Sequence, residues 1–170
     1  INATLLAQNQ GYKILQNEKL DSFTQDGVLE TSRCDFSEFL HVNGTLLAHK
    51  CQVYELKVNG CAKPHECVIY GPVFVAGELN ADHSVFQDNL SLTCQSSSFS
   101  RCVVLKDIQV NKVKNYDDKQ VLEITNGAVI KGNITFDSKN GEILLSSDSK
   151  IMGGVVGGHI RLFADNTDRD

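Results

Sequence analysis

The sequence predicts an all-β fold, a single-domain parallel β-solenoid (β-helix), and three features of the chain lead to this fold class. In the middle of the chain, apolar residues recur at every second position, which is typical of strands and excludes an amphipathic helix. Similar phrases return every 16–18 residues, and a small residue occupies the same offset in each phrase. This period is too short for pairs of helices and suits a coil of two or three short strands per turn.

Four consecutive blocks carry the repeat, and they begin at Leu40, Leu56, Val73 and Leu90. Each block opens with an apolar–x–apolar phrase, and the small residues that follow are Gly44, Gly60, Gly77 and Cys94. An antiparallel sandwich also has short strands with regularly spaced turns. The solenoid is favoured because hairpins do not require like residues at like offsets. The alternation predicts that the following side chains face inward: Val42, Val53, Val58, Ile69, Val75, Val85, Leu92 and Val104.

The two ends of the chain differ from the repeat. Residues 1–38 contain apolar positions without a clean period, and we expect them to form an N-terminal cap or extension that covers the first rung. The solenoid domain is then expected over 39–163. Residues 164–170 are polar and are expected to form a flexible tail.

Composition and charge argue against several classes of function. The net charge is −5 and no segment is rich in Lys and Arg, so nucleic acid is not an expected partner. The longest apolar stretch, from Cys67 to Gly77, is about half a membrane span and predicts no transmembrane segment. Neither a catalytic nor a cofactor motif occurs, so we expect no enzyme and no cofactor.

Several phrases of the chain resemble the bactofilins, over about residues 38–160. The phrases are FLHVNGTLLAH (39–49), LKVNG (56–60), VFVAGEL (73–79) and LEITNGAVIKGNI (122–134). The resemblance implies a right-handed β-helix that assembles end to end into nonpolar, membrane-associated scaffold filaments without a cofactor. The chain is richer in Cys than this family and has longer insertions, such as CAKPHEC and TCQSSSFSRC.

Six cysteines are the first set of residues that could carry chemistry. Cys61 and Cys67 lie near the same offsets as Cys94 and Cys102, each pair lying across an insertion, which predicts two disulfides and leaves Cys34 for Cys51. Alternatively these residues are small buried hydrophobic groups, and six cysteines allow 15 pairings. Disulfides favour an extracytoplasmic placement, periplasmic or secreted; the alternative is a cytoplasmic, membrane-associated protein.

A second set combines histidine with cysteine. His49-x-Cys51 and His65-x-Cys67 repeat after one block, so stacked rungs would bring together two imidazoles and two thiols, a set that zinc can use. His83 falls near the same offset one rung later. A histidine at such a corner is more often an exposed polar residue, so these residues remain candidate ligands and no metal is expected.

These observations favour a non-enzymatic scaffold that self-associates through the ends of the solenoid, with itself and cell-envelope components as partners. An uncovered last rung is a template for another chain. The expected self-association residues lie in that rung: Ile151, Val155, Ile160, Leu162 and Phe163. The alternatives are a secreted or surface adhesion module and a zinc-dependent β-helix enzyme that uses stacked histidines.

Overall fold

The computed structural model describes the backbone of residues 3–4 and 9–163, and within them it contains strands and no helix. The strands are β1 (Ala3–Thr4), β2 (Asn9–Gln16), β3 (Lys19–Ser32), β4 (Asp35–His49), β5 (Gln52–His65), β6 (Val68–Ile69), β7 (Val73–Asp82), β8 (Val85–Phe86), β9 (Leu90–Ser100), β10 (Val103–Val104), β11 (Ile108–Val110), β12 (Gln120–Thr125), β13 (Val129–Ile130), β14 (Ile134–Phe136), β15 (Gly141–Ser146), β16 (Lys150–Ile151), β17 (Val155–Val156) and β18 (Gly158–Phe163).

The strands form a parallel β-solenoid of about nine turns with rungs of about 17 residues, which confirms the predicted fold class. The block starts pair in register through successive turns: Leu40 with Leu56, Leu56 with Val73, and Val73 with Leu90. Each residue therefore belongs to a column of equivalent residues from successive turns. The repeat read from the sequence is the repeat of the coil.

One corner of the coil is made by stacked glycines, here called the glycine corner: Gly27, Gly44, Gly60 and Gly77. The last three have φ of 135°, a conformation that other residues rarely adopt. A Cβ atom on Gly60 would lie 1.9 Å from the carbonyl oxygen of Gly44. Only glycine lets successive turns approach this closely.

A second corner has left-handed residues that are not glycine, here called the charged corner: Asn17, Arg33, Lys50, Glu66, His83 and Arg101, with φ between 50° and 55°. Each backbone amide at this corner donates to a carbonyl of the next turn. The Lys50 amide donates to His65 over 3.0 Å, and the Glu66 amide donates to Asp82 over 3.0 Å. These bonds offset the cost of the left-handed conformation, about 1–2 kcal/mol per residue.

The core follows the predicted alternation with one correction. Seven of the eight predicted inward residues are buried, but Val85 is partly exposed and its neighbour Phe86 is fully buried. In the structure Ile69 pairs with Phe86, and Val68 pairs with Val85. The prediction for Val85 was wrong because this turn is one residue longer than the preceding one.

The solenoid also extends upstream of residue 39, the boundary expected from the sequence. Strand β3 pairs with β4 from Lys19 to Ser32, and β2 pairs with the second half of β3. Most of the segment expected to form a cap therefore consists of solenoid turns. Residues 164–170, the expected tail, lie outside the described residues.

Candidate functional sites

Four cysteines form one inward column together with a serine: Cys34, Cys51, Cys67, Ser84 and Cys102. Each directly follows a residue of the charged corner and donates to the carbonyl two residues before it. The distances are 3.4, 3.5, 3.4, 3.0 and 3.2 Å in chain order. These side chains have a structural task, because each adds a second hydrogen bond to a corner carbonyl that already accepts a backbone amide, and the serine performs the same task as the thiols.

All six cysteines are free thiols, in contrast to the expected disulfides. Cys61 lies within β5, and the four residues of extended strand that follow it place His65 about 13 Å away, before the corner that leads to Cys67. Cys94 is separated from Cys102 by an even longer part of β9. Cys34 and Cys51 are neighbours in the cysteine column and remain unbonded.

Burial and hydrogen bonding set the ionisation of these thiols. Burial raises the pKa of Cys102 to about 12 and also raises the pKa of Cys94. The hydrogen bond to Cys51, together with burial, raises the pKa of Cys34. The pKa of Cys67 is lowered, chiefly because the Cys51 thiol hydrogen-bonds to it, yet Cys67 is only 1% exposed. Solvent has little access to this column, as expected of structural thiols.

The outside of the charged corner carries a cluster of histidines and acids. The rings of His49 and His65 stack with their centroids 5.1 Å apart. His65 Nε2 lies 3.2 Å from a Glu66 carboxylate oxygen, and His65 Nδ1 lies 2.8 Å from Asp82 Oδ2. Arg101 holds the same Asp82 carboxylate through two hydrogen bonds of 2.6 and 3.0 Å.

The cluster differs from the zinc set considered from the sequence. Cys51 and Cys67 are buried in the core, whereas His49 and His65 are partly exposed on the outer surface, so the two His-x-Cys motifs do not converge on one point. Asp82, and not His83, pairs with His65 in the next turn. His83 is an exposed residue of the charged corner itself. In each motif the residue between histidine and cysteine, Lys50 or Glu66, belongs to the charged corner, and the turn there directs the imidazole outward and the thiol inward.

Sequence reasoning missed Glu66 and Asp82 as members of this cluster. Asp82 follows His65 by 17 residues, which is the length of one turn, whereas His83 follows His65 by 18 residues. This spacing was the signal that could have identified Asp82. The guanidinium of Arg101, and to a smaller extent the imidazole of His65, hold the pKa of Asp82 below its ordinary value.

The last turn presents the predicted self-association residues to different degrees. Ile160 and Leu162 pair with the buried residues Ile143 and Leu145, yet they are 46% and 71% exposed. Ile151 and Val155 are partly buried against the core, and Phe163 is partly buried. In the described residues β18 pairs in register with one strand, β15. Its open side therefore exposes both backbone groups and core-facing side chains.

The opposite end of the coil has a different character. Lys13 in β2 pairs with Leu29, which is fully buried, and so occupies a core column. The same column continues through later turns to Ile160. Lys13 is exposed, and a charge at an inward position is a feature that discourages a further strand from adding to an edge.

One side face of the coil carries a stripe of outward valines, here called the valine face: Val68, Val85, Val103 and Val129. All four are partly exposed, and Gln52 and Lys150 bound the stripe. The neighbouring column contributes the exposed Tyr70 and Leu105. β-Branched residues suit a half-exposed sheet surface, so this stripe also has a purely structural explanation.

Comparisons with known proteins return no match: no family model, no curated protein and no solved structure matches the chain. The parallel solenoid is consistent with a β-helix family, and no comparison identifies the bactofilins in particular. Within the part of the chain that the structure describes, no helix is both long and apolar enough to cross a membrane.

Proposed function

We propose that this protein is a non-enzymatic structural scaffold whose solenoids associate through their C-terminal rungs, defined as residues 150–163. The observation that carries the proposal is the exposure of Ile160 and Leu162 at positions that are buried in the preceding turns. Full burial of such a side chain contributes about 1.5–3 kcal/mol. A contact between two copies would bury Ile160 and Leu162 of each copy, and all of these side chains would contribute to its stability.

The backbone of β18 supports the same contact. In a parallel ladder, alternate residues direct their N–H and C=O groups to opposite neighbours. Every second residue of β18 therefore directs these groups away from β15. A second β18 can accept these hydrogen bonds, and an unpaired strand edge is a known template for such pairing.

Association between two C-terminal rungs is favoured over end-to-end stacking. In an end-to-end stack, Lys13 of one copy would meet Ile160 of another in the same core column, which would bury an unpaired ammonium group at a cost of several kcal/mol. In the arrangement with both C-terminal rungs together, Ile160 and Leu162 meet apolar residues. This contact is isologous and closes as a dimer.

The compartment and the further partners stay predictions. The extracytoplasmic placement was inferred from disulfides, and the six thiols are free in the structure. Cell-envelope components remain expected partners of a scaffold.

Sedimentation velocity over a range of protein concentrations tests the proposal. We expect the unaltered chain to form a dimer and the double variant Ile160→Lys/Leu162→Lys to remain monomeric and folded. Leu105→Lys is the matched control, because it places the same charge on an exposed apolar residue of the side of the coil. A monomeric unaltered chain, or a double variant that still dimerises, would contradict the proposal.

A second candidate function, a binding module, is supported by the valine face. Four stacked valines with Tyr70 and Leu105 beside them make a flat apolar surface along the side of the coil. If this face mediates association, Leu105→Lys abolishes it and the double variant at the C-terminal rung does not. The same sedimentation experiment therefore separates the two functions.

A further inference from the structure

We propose that His49, His65 and Glu66 bind a divalent transition-metal ion of the zinc class on the outside of the charged corner. One potential ligand atom from each of the three residues lies within 4.8 Å of the others. Zinc bonds to nitrogen and oxygen of about 2.0–2.2 Å place tetrahedral ligand atoms about 3.3 Å apart. The two imidazoles are stacked, so their side chains must rotate out of the stack to direct one nitrogen each at the ion, and the partial exposure of all three residues leaves room for this rotation.

The carboxylate that orients His65 in this site is already in place. Asp82 Oδ2 lies 2.8 Å from His65 Nδ1, so the Nδ1–H donates to this carboxylate and Nε2 is the nitrogen left to bind an ion, which would take the place of any hydrogen on it. That nitrogen lies 3.2 Å from a Glu66 oxygen, on the ligand side of the ring. A carboxylate that orients a metal-binding histidine through its other nitrogen is a general feature of metal sites. Arg101 in turn fixes Asp82.

The register of the solenoid explains why these groups meet. His49, His65 and Asp82 occupy one outward column in three successive turns, and Glu66 follows His65 at the charged corner. Stacked rungs lie about 4.8 Å apart, which matches the 5.1 Å between the two imidazole centroids. Three protein ligands leave one position for water, and the two histidines also line a groove of about 400 Å³.

One group competes with the ion. Lys50 Nζ lies 3.8 Å from the second oxygen of Glu66. The ammonium group and a metal ion would both be attracted to the same carboxylate. Removing this lysine should therefore strengthen metal binding, an effect opposite in sign to the loss of a ligand.

Titration of the chain with Zn²⁺, followed by calorimetry and by competition with a chromophoric chelator, tests the site. We expect one ion per chain, with binding abolished in His49→Gln and His65→Gln. Asp82→Asn should weaken binding about 10–100-fold, because the orientation of His65 is lost. Lys50→Asn should strengthen binding, and Asn tolerates the left-handed conformation at this position.

His83→Asn is the matched control, because His83 is an exposed histidine at the same corner outside the cluster. Its affinity for Zn²⁺ should equal that of the unaltered chain. Ligand-field absorption of bound Co²⁺ provides a second measurement, and its spectrum should disappear in the two histidine variants only. Equal affinity in His65→Gln and the unaltered chain, or an equal loss in His83→Asn, would overturn the proposal.

Discussion

The substitution Gly60→Ala tests the glycine corner most sharply. A Cβ atom at this position would lie 1.9 Å from the Gly44 carbonyl oxygen and 2.8 Å from the Gly44 carbonyl carbon. The obstacle is backbone, which no side-chain rotation can move away. Gly60 also has φ of 135°, a region that residues with a Cβ atom rarely occupy.

The expected loss of stability follows from these two observations. Ordinary contact begins near 3.4 Å, so adjacent turns must separate locally by more than an ångström, which breaks about two ladder hydrogen bonds at about 1 kcal/mol each. The unfavourable φ adds about 1–3 kcal/mol. We therefore expect Gly60→Ala to lower the free energy of unfolding by about 3–5 kcal/mol.

Gly127→Ala is the control for this experiment. Gly127 also has a positive φ, 77°, but nothing lies within 4 Å of an added Cβ atom. Its cost is the left-handed penalty alone, about 1–2 kcal/mol. Urea unfolding followed by circular dichroism and by tyrosine fluorescence measures both variants. If Gly60→Ala and Gly127→Ala differ by less than about 1 kcal/mol, the close approach of the turns does not determine the choice of glycine.

Three further predictions concern the core, the thiols and the charged corner. Phe86→Ala should lower the free energy of unfolding by about 3–5 kcal/mol, because Phe86 is fully buried. Val85→Ala should change the free energy of unfolding by no more than about 0.5 kcal/mol. Equal losses in the two variants would return Val85 to the core. Thiol labelling of the native protein at mildly alkaline pH should modify the partly exposed Cys61 rapidly. After denaturation without reductant, all six cysteines should react, and fewer than six labelled cysteines would indicate disulfides. Because the pKa of Asp82 is lowered by Arg101, its contribution to stability is present above the ordinary Asp value of about 3.9 and is lost as pH falls below it. Arg101→Asn should remove that contribution at neutral pH and leave acid stability unchanged, and a pH-independent effect of this variant would contradict the assignment.

The sequence predicted the architecture because the features that determine it are local and repeated. Alternation fixed which side chains face inward, and the stacked Gly44, Gly60 and Gly77 marked one corner. The error at Val85 arose because the length of one turn differs by a single residue, and alternation alone does not count residues across a corner.

The charged corner was not predictable from the sequence. Lys50, Glu66 and Arg101 carry no preference for a left-handed conformation, which hydrogen bonds to the next turn impose on them. The direction of each neighbouring side chain depends on this corner. Consequently the sequence identified His49 and His65 but combined them with cysteines that face the core.

The exposed C-terminal rung was predictable in part. The last turn among the described residues presents core positions that none of their strands covers, and Ile160 and Leu162 are such positions. The contrast with Lys13 at the other end required the register of the whole coil, because eight strand pairings connect the two residues.

Hydrogen exchange measured at low and high protein concentration tests the proposed association most directly. In β18, the amides that point away from β15 should exchange rapidly at low concentration and become protected as the chains associate. The amides of β2, at the end that carries Lys13, should exchange at the same rate at both concentrations. Protection that appears in β2 together with β18 would indicate end-to-end stacking, and exchange in β18 that does not depend on concentration would contradict association through the C-terminal rung.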